Sequence, residues 1–358
     1  MEVASSTKGV PGVPAGAGRP SALAVAVVVP VRNEEPSLPA LVASLRAQTF
    51  APSEIVIVDG GSTDATVEVG RRLAGGDPRF RIIEAGAATP GRGRNVGTAA
   101  ARSEWVAYTD AGIRVEPTWL ERLVREVERD PALEVVYGNY EPLAATPFER
   151  AAAVAYAAPK QERPGGRMRG PFIASSLVRR EVWRRVGGFP DLRAAEDLMF
   201  MERVAAAGCK TGWSPTATVW WQLQPTLART YARFALYSKH NVWAGRQRFW
   251  HYGVARLYAF ALVCFALALA HSPWWLAVPA LGLVARAAKS VWRHREGRGL
   301  RWLLNPARLL YVVVITLTLD LATFAGWAQA LLSRPPAQAG AGGPSVERRP
   351  DGGRAGAD

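Results

Sequence analysis

Between Leu23 and Tyr137 short apolar runs take turns with amphipathic stretches, an alternation that only a layered α/β domain accommodates. Leu23 to Val29 predicts a first buried strand. Leu38, Leu41, Val42 and Leu45 then fall at i, i+3, i+4 and i+7, the single apolar face of a helix. Glu54 to Val58 predicts a second strand, closed by Asp59-Gly60-Gly61. Strand, helix, strand with short connections is the parallel crossover unit. The pattern continues with a helix from Ser62-Thr63-Asp64 to about Leu73, a strand over Arg81 to Glu84 and a loop entering a helix over Gly91 to Arg102. A strand over Trp105 to Asp110, a helix over Pro117 to Arg129 and a strand over Leu133 to Tyr137 complete it, and the expectation is a three-layer domain.

After Pro142 the rhythm loosens. Ala151 to Ala158 and Arg180 to Val186 predict short helices, Phe172 to Val178 a strand, and Gln161 to Gly170 a mobile loop rich in Gly and Arg. Gly187 to Pro190 reads as a turn, and a helix over Ala194 to Ala207 carries Glu196 and Asp197 near its start. Two short strands, Lys210 to Trp213 and Thr218 to Trp221, end the domain at about residue 225.

Three of the strands close on acids: PVRNEE at 30 to 35, VDGGSTD at 58 to 64 and YTDAG at 108 to 112. In an open sheet ligands bind beyond the carboxyl ends of the strands, so Glu34, Asp59 and Asp110 meet at one edge. Read by itself, Asp110 is equally a turn aspartate capping the next helix. With no cysteine or histidine cluster nearby, the three acids suit a nucleotide base and ribose plus a hard cation holding a diphosphate. Arg92, Arg94 and Asn95, in GRGRNVG, add donors for phosphate oxygens.

Net charge is +14 and the pI about 10.4, but only five of the 44 basic residues are lysine, a skew that fits codon bias. No zinc-finger spacing or aromatic-interleaved basic strand is present, and nucleic acid is not an expected partner. Two cysteines exclude a disulfide framework or a cysteine metal site.

The last third changes solvent. Leu257 to Ala270, extended upstream by Tyr252 to Arg256, is close to the length that crosses a bilayer; Trp274 to Ala285 is a shorter second candidate, and Leu309 to Leu332 a third with Asp320 near its middle. Trp274, Trp275, Trp302, Tyr311 and Trp327 sit near the segment ends, as interfacial aromatics do. Arg286, Lys289, Arg293, Arg295, Arg298 and Arg301 predict a basic loop on the cytoplasmic side, and three spans then place the α/β domain in the cytoplasm and the tail after Ser333 on the far side. Residues 226 to 251 predict an interfacial linker helix, and 1 to 22 and 333 to 358 disordered tails. Asp320 is expected to make a helix-packing hydrogen bond as a neutral acid; the other reading is a channel for a lipid phosphate or acceptor.

PVRNEE, VDGGSTD, GRGRNVG, and GGFP followed by AAEDLMF stand in the order found in family 2 glycosyltransferases, which the chain resembles over about Ala24 to Trp221. The resemblance implies an inverting enzyme with the A-type glycosyltransferase fold. It implies that Pro30, Arg32, Glu34, Val58 and Asp59 line the nucleoside pocket, that Asp110 lies by the ribose and diphosphate, and that Asp197, in the Glu196-Asp197 pair, is the base that deprotonates the acceptor hydroxyl. Relatives usually carry a second acid two residues after the first, to grip a metal; here that position is Gly112, and Trp220, Trp221 and Gln222 offer no histidine. Either Mg²⁺ or Mn²⁺ is held by Asp110 and the diphosphate alone, or arginines stabilise the leaving group instead. The Q-x-x-R-W signature of processive synthases is not matched by Gln224 to Thr230, so one sugar is expected to move per reaction. The expected partners are a nucleotide-diphospho-sugar donor, a lipid-linked or saccharide acceptor, and membrane lipid. A polyprenyl-phosphate sugar transferase and a catalytically silent nucleotide-sugar-binding membrane protein are the competing readings.

Overall fold

The computed structural model describes residues 23–334; the tails expected at both ends fall outside these residues, apart from Ser333 and Arg334. The first part of the chain supplies six strands of the sheet: β1 (Val25–Val31), α1 (Leu38–Arg46), β2 (Glu54–Asp59), α2 (Thr66–Ala74), β3 (Phe80–Glu84), α3 (Pro90–Ala100), β4 (Trp105–Tyr108), β5 (Ile113–Val115), α4 (Trp119–Arg129) and β6 (Val135–Leu143). There follow α5 (Pro147–Tyr156), a hairpin of β7 (Gln161–Arg163) and β8 (Gly166–Met168), β9 (Ser176–Arg179), α6 (Arg180–Arg185), α7 (Glu196–Ala206) and β10 (Thr211–Gln222). The described residues end in α8 (Leu227–Trp243), α9 (His251–Ala270), α10 (Ala277–Arg293), the short α11 (Leu300–Leu303) and α12 (Pro306–Leu332).

Eight strands form one mixed sheet in the order β3-β2-β1-β4-β9-β6-β10-β5. β3, β2, β1 and β4 are parallel, so the ends of β1, β2 and β4 open onto one edge. β9 runs antiparallel between β4 and β6, and β5 antiparallel to β10. Alternate residues of β1 face opposite layers: Val25, Val27, Val29 and Val31 pack with α1 and α4, whereas Ala26 and Val28 pack with residues of α6 and α7. This is the three-layer arrangement expected.

Four local readings change. Gly91 to Arg102 is not a loop entering a helix, because α3 already covers Pro90–Ala100. Its glycines are required by contact: a Cβ on Gly91 would lie 2.0 Å from the Pro190 carbonyl oxygen, and one on Gly97 2.5 Å from Val28 Cγ1. Gln161 to Gly170 is a hairpin, not a structureless loop, turned by Gly165 and Gly166 at positive φ with Arg163 stacked 4.5 Å over the Trp213 ring. The two last strands are one, β10, whose register shifts between Ser214 and Thr218. β5, three residues after Asp110, was not foreseen because three residues are too few to show a period.

A third apolar cluster joins the domain to the C-terminal helices, with Ala151, Ala152 and Val154 of α5 against Ala287 and Val291 of α10 and Val312 and Ile315 of α12. Of the three expected spans, α9 and α12 have the length and hydropathy to cross a membrane. α10 does not, since Arg286, Lys289 and Arg293 belong to its second half and not to a loop. Asp320 makes the expected helix-packing hydrogen bonds, with an arginine as its main partner: Arg286 Nη1 and Nη2 of α10 donate to its two oxygens at 2.6 and 3.0 Å, and Tyr258 Oη of α9 donates at 3.2 Å. A guanidinium fork at this distance satisfies a carboxylate that the surrounding helices would otherwise leave bare.

Candidate active site

At the common edge, β1 and β2 hand over to two interlocked loops. Asn33, at φ 55°, accepts from the Thr63 amide at 2.8 Å while its own amide donates to Ser62 Oγ at 2.9 Å. Asp59 is buried, and its carboxylate accepts from the amides of Gly61 and Ser62 at 2.9 and 3.1 Å and from the Ser62 hydroxyl. Its visible work is to shape the VDGGS turn. Glu34 is half-buried and accepts from Ser37 Oγ, and Arg32 is exposed. The Val58 side chain is fully buried, so only its backbone borders the edge. A Cβ on Gly93 would lie 3.1 Å from Pro30 Cβ, which places Pro30 beneath α3. Pro30, Arg32, Glu34, Val58 and Asp59 are thus brought to one rim, with Arg32 and Glu34 presenting free side-chain surface.

The centre is an ion-pair bridge that no local pattern announces. Arg94, on α3 and 3% exposed, donates from Nη2 to Asp110 Oδ1 at 2.7 Å and from Nη1 to Glu196 Oε1 at 2.8 Å. Its position is fixed from behind: Thr98 Oγ1 donates to the Arg94 carbonyl at 2.7 Å and lies 2.8 Å from Tyr108 Oη, while the guanidinium stands 5.6 Å from the Phe189 ring centroid. Phe189 in turn stacks on Phe200 of α7 at 4.0 Å. The sequence had Arg94 as a direct phosphate donor; both its terminal nitrogens are occupied by carboxylates.

Asn95 does not face the strand ends. Its Nδ2 donates to the Phe189 carbonyl at 2.8 Å, and its Oδ1 accepts from the Phe189 amide at 2.8 Å and from Trp183 Nε1 at 2.9 Å. These bonds hold the GGFP turn, where Gly187 and Gly188 adopt positive φ, and tie it to Trp183 of α6. Phe189 and Trp183 were missed by sequence reasoning, and the only signal for them was the turn itself. Arg92 remains exposed.

Ala195 precedes α7 at φ 70°, an unfavourable left-handed conformation for a residue with a Cβ. That kink turns Glu196 inward toward Arg94 and leaves Asp197 half-buried, its Oδ1 accepting from the Leu198 amide at 2.8 Å. Burial pushes the Glu196 carboxyl up to about 7, against the opposing pull of Arg94, and pushes Asp197 up as well. Glu196 Oε2 is buried with no hydrogen-bond partner among the described residues, consistent with a carboxyl that holds a proton readily. Asp110 and Glu196 therefore share one guanidinium, and neither Asp197, next to Glu196, nor the second oxygen of Asp110 bonds to it.

A divalent cation fits this centre poorly without a substrate. Asp110 Oδ1 is engaged by Arg94, Gly112 has no side chain to offer, and no group of three His, Cys, Asp or Glu residues able to hold a metal occurs among the described residues. Hard cations need several oxygen ligands.

The mixed sheet, with helices on both faces and the ends of β1, β2 and β4 at one edge, has the A-type glycosyltransferase fold. The chain carries a family 2 glycosyltransferase domain: residues 26–182 match the family described as Glycosyl transferase family 2. EpsH of Bacillus subtilis (strain 168) is 37% identical over 102 residues, 28% of this chain and 30% of EpsH. The succinoglycan biosynthesis protein ExoA of Rhizobium meliloti (strain 1021) is 30% identical over 197 residues, 51% of this chain and 58% of ExoA. In both cases the match spans less than two thirds of the relative. Among solved structures, the mannosyltransferase PcManGT from Pyrobaculum calidifontis, in complex with GDP-Man and Mn²⁺, superposes with a TM-score of 0.51 over 86% of this chain and 87% of that one, at 22% identity. That likeness is one of fold.

Proposed function

We propose that the chain is a membrane-attached inverting hexosyltransferase that moves one sugar from a nucleotide-diphosphate donor to a lipid-linked or membrane-proximal acceptor in envelope polysaccharide or glycolipid synthesis. The observation that carries the reading is the Arg94 bridge, which joins Asp110, beyond the end of β4, to Glu196, the neighbour of Asp197 at the start of α7. Two carboxylates with separate environments are what inverting displacement needs, one beside the donor and one beside the acceptor.

In this reading the nucleoside lies on the rim formed by Pro30, Arg32, Glu34, Val58 and Asp59, and its diphosphate passes Asp110. Asp197 takes the proton of the acceptor hydroxyl. The acceptor oxygen then bonds to the anomeric carbon as the bond to the diphosphate oxygen breaks on the opposite face, and nucleoside diphosphate leaves. Arg94 acts through Asp110 and Glu196 as a positioning residue. If Mg²⁺ or Mn²⁺ came with the donor, Asp110 would be the residue to hold it, and the cation would offset the charge of the departing diphosphate. The exposed leucine, phenylalanine and tryptophan side chains of α9, α10 and α12 support attachment to the cell membrane, and the cations around them support a cytoplasmic catalytic domain.

The test is a panel of uridine, guanosine and thymidine diphosphate sugars offered to the detergent-solubilised full chain, with and without Mn²⁺ or Mg²⁺. One donor is expected to bind and to be slowly hydrolysed, and Asp110→Ala to abolish its binding. Absence of binding by every donor, with and without metal, overturns the reading.

A further inference from the structure

The C-terminal helices were expected to cross the bilayer three times. We infer that they instead enter it from one side only: α9 and α10 form a helical hairpin that dips into lipid and returns, and α12 lies along the membrane surface beneath the catalytic domain. The inference rests on the membrane-attachment part of the proposed function and on none of its chemistry.

The hairpin is the more exposed element. From Leu257 to Ala285 there is no Asp, Glu, Lys or Arg, and the stretch is bracketed by Arg256 and Arg286. Between Ala259 and Ala285 only Cys264 is buried; Leu262, Leu269, Trp274 and Leu281 are each more than 65% exposed. Apolar surface on every side of two helices has no counterpart in a water-facing fold. Its base is clamped where Tyr258 and Arg286 meet Asp320, and from Leu257 to Ala270 the helix rises about 21 Å. A hydrocarbon core is about 30 Å thick, so the tip ends short of the far side.

The tip is also built for a medium without water. The His271 amide donates to the Leu267 carbonyl at 2.8 Å, Pro273 has no N–H to satisfy, and the Trp275 amide donates to the Ser272 carbonyl at 3.1 Å in a 3₁₀ turn over Pro273–Leu276. These internal bonds lower the cost of carrying a turn toward lipid, where every backbone polar group must find its partner within the protein.

α12 shows the opposite pattern, two distinct faces along its length. One is covered by the domain: Val312 and Ile315 by α5, Thr323 through a 2.7 Å hydrogen bond from Ser238 of α8 to its carbonyl, and Gly326 where an added Cβ would meet the Ala235 carbonyl oxygen at 2.2 Å. Near the end of α12, Trp243 Nε1 donates to the Ala330 carbonyl at 3.3 Å. The other face is an exposed apolar stripe of Leu310, Val314, Leu317 and Leu321, spaced by three and four. A helix covered by α5 and then by α8, which itself carries exposed Arg229 and Arg233, stays at the level of those cations. Ser333 and Arg334 then lie on the catalytic side.

Single cysteines report the arrangement. Cys209 and Cys264 are buried, and the unsubstituted chain gives the background. Glu68→Cys on α2 marks the catalytic side, Ser333→Cys the end of α12 and Trp274→Cys the hairpin tip; all three replaced residues are exposed. Right-side-out and inside-out membrane vesicles are treated with a membrane-impermeant maleimide. Glu68→Cys and Ser333→Cys are expected to label from the same side, and Trp274→Cys from neither. Labelling of Ser333→Cys from the side opposite Glu68→Cys overturns the flat α12, and labelling of Trp274→Cys from that side overturns the re-entrant hairpin. Release of the protein by alkaline washing, or a disulfide-linked dimer through Trp274→Cys, shows that the hairpin is covered by something other than lipid and overturns the inference at its membrane premise.

Discussion

Arg94 Nη1 and Glu196 Oε1 stand 2.8 Å apart although 102 residues separate them in the chain. The contact ties α3 to the first turn of α7, and through the second arm of the same guanidinium it ties both to the end of β4. One side chain therefore holds the acid that the proposed chemistry assigns to the donor, Asp110, and the immediate neighbour of the acid assigned to the acceptor, Asp197.

Replacement of that side chain leaves a buried carboxyl without its cation. Arg94→Met is expected to cost about 3 kcal/mol, in the range for breaking a buried pair, and to weaken donor binding because Asp110 loses its anchor. Arg94→Lys restores the charge but not the two-armed reach, so it recovers part of the stability and little of the binding. Thermal melts and donor titrations of the two variants check this.

Glu196 links folding to pH. Its folded value, about 7, lies above the usual carboxylate range, so the folded state holds the proton longer than the unfolded chain does. Its contribution to stability is full below pH ~4.5 and is lost as pH rises through about 7. Melting curves across pH 5 to 8 should show the native protein losing ground to Glu196→Gln as pH increases. A constant difference between the two would mean that Glu196 is not held protonated in this way.

An acid restored at position 112 has room. A Cβ there meets nothing within 4 Å, and φ at Gly112 is not in the left-handed region. Gly112→Asp is expected to leave the melting temperature within about 2 °C of the native value, as for a surface substitution, and to make donor binding more dependent on Mn²⁺. Donor titrations at several Mn²⁺ concentrations decide it.

Asn95→Ala removes three hydrogen bonds to Trp183 and Phe189, for about 2–4 kcal/mol at ordinary values per bond. The GGFP turn carries Phe189 onto both Arg94 and Phe200. The variant should therefore lower turnover at saturating donor more than it changes donor affinity.

The parallel half of the sheet was legible because its strands and helices carry strong, separate periods: Val25 to Val31 is buried throughout apart from Pro30, and Leu38, Leu41, Val42 and Leu45 are the buried face of α1. The strand-end acids were legible for the same reason, since the end of a strand fixes the edge on which they lie. Propensity misled where tertiary contact decides. GRGRNVG looks too rich in glycine for a helix, yet Gly91 and Gly97 are small because a loop and a strand press against α3. The partnerships of Arg94 with Glu196 and of Arg286 with Asp320 join distant segments, and no local pattern encodes them. Arg286 read as one cation of a basic loop because its charge was visible and its partner, 34 residues away, was not.

The central claim is that Asp197 accepts the proton of an acceptor hydroxyl. The most direct measurement is transfer by Asp197→Asn with the donor and acceptor that serve the native protein, alongside donor binding. The account predicts donor affinity within about twofold of native and turnover lower by about 10²–10⁴, the usual worth of a positioned base. Turnover close to native would contradict it and point to an acceptor, such as a lipid phosphate, that needs no base.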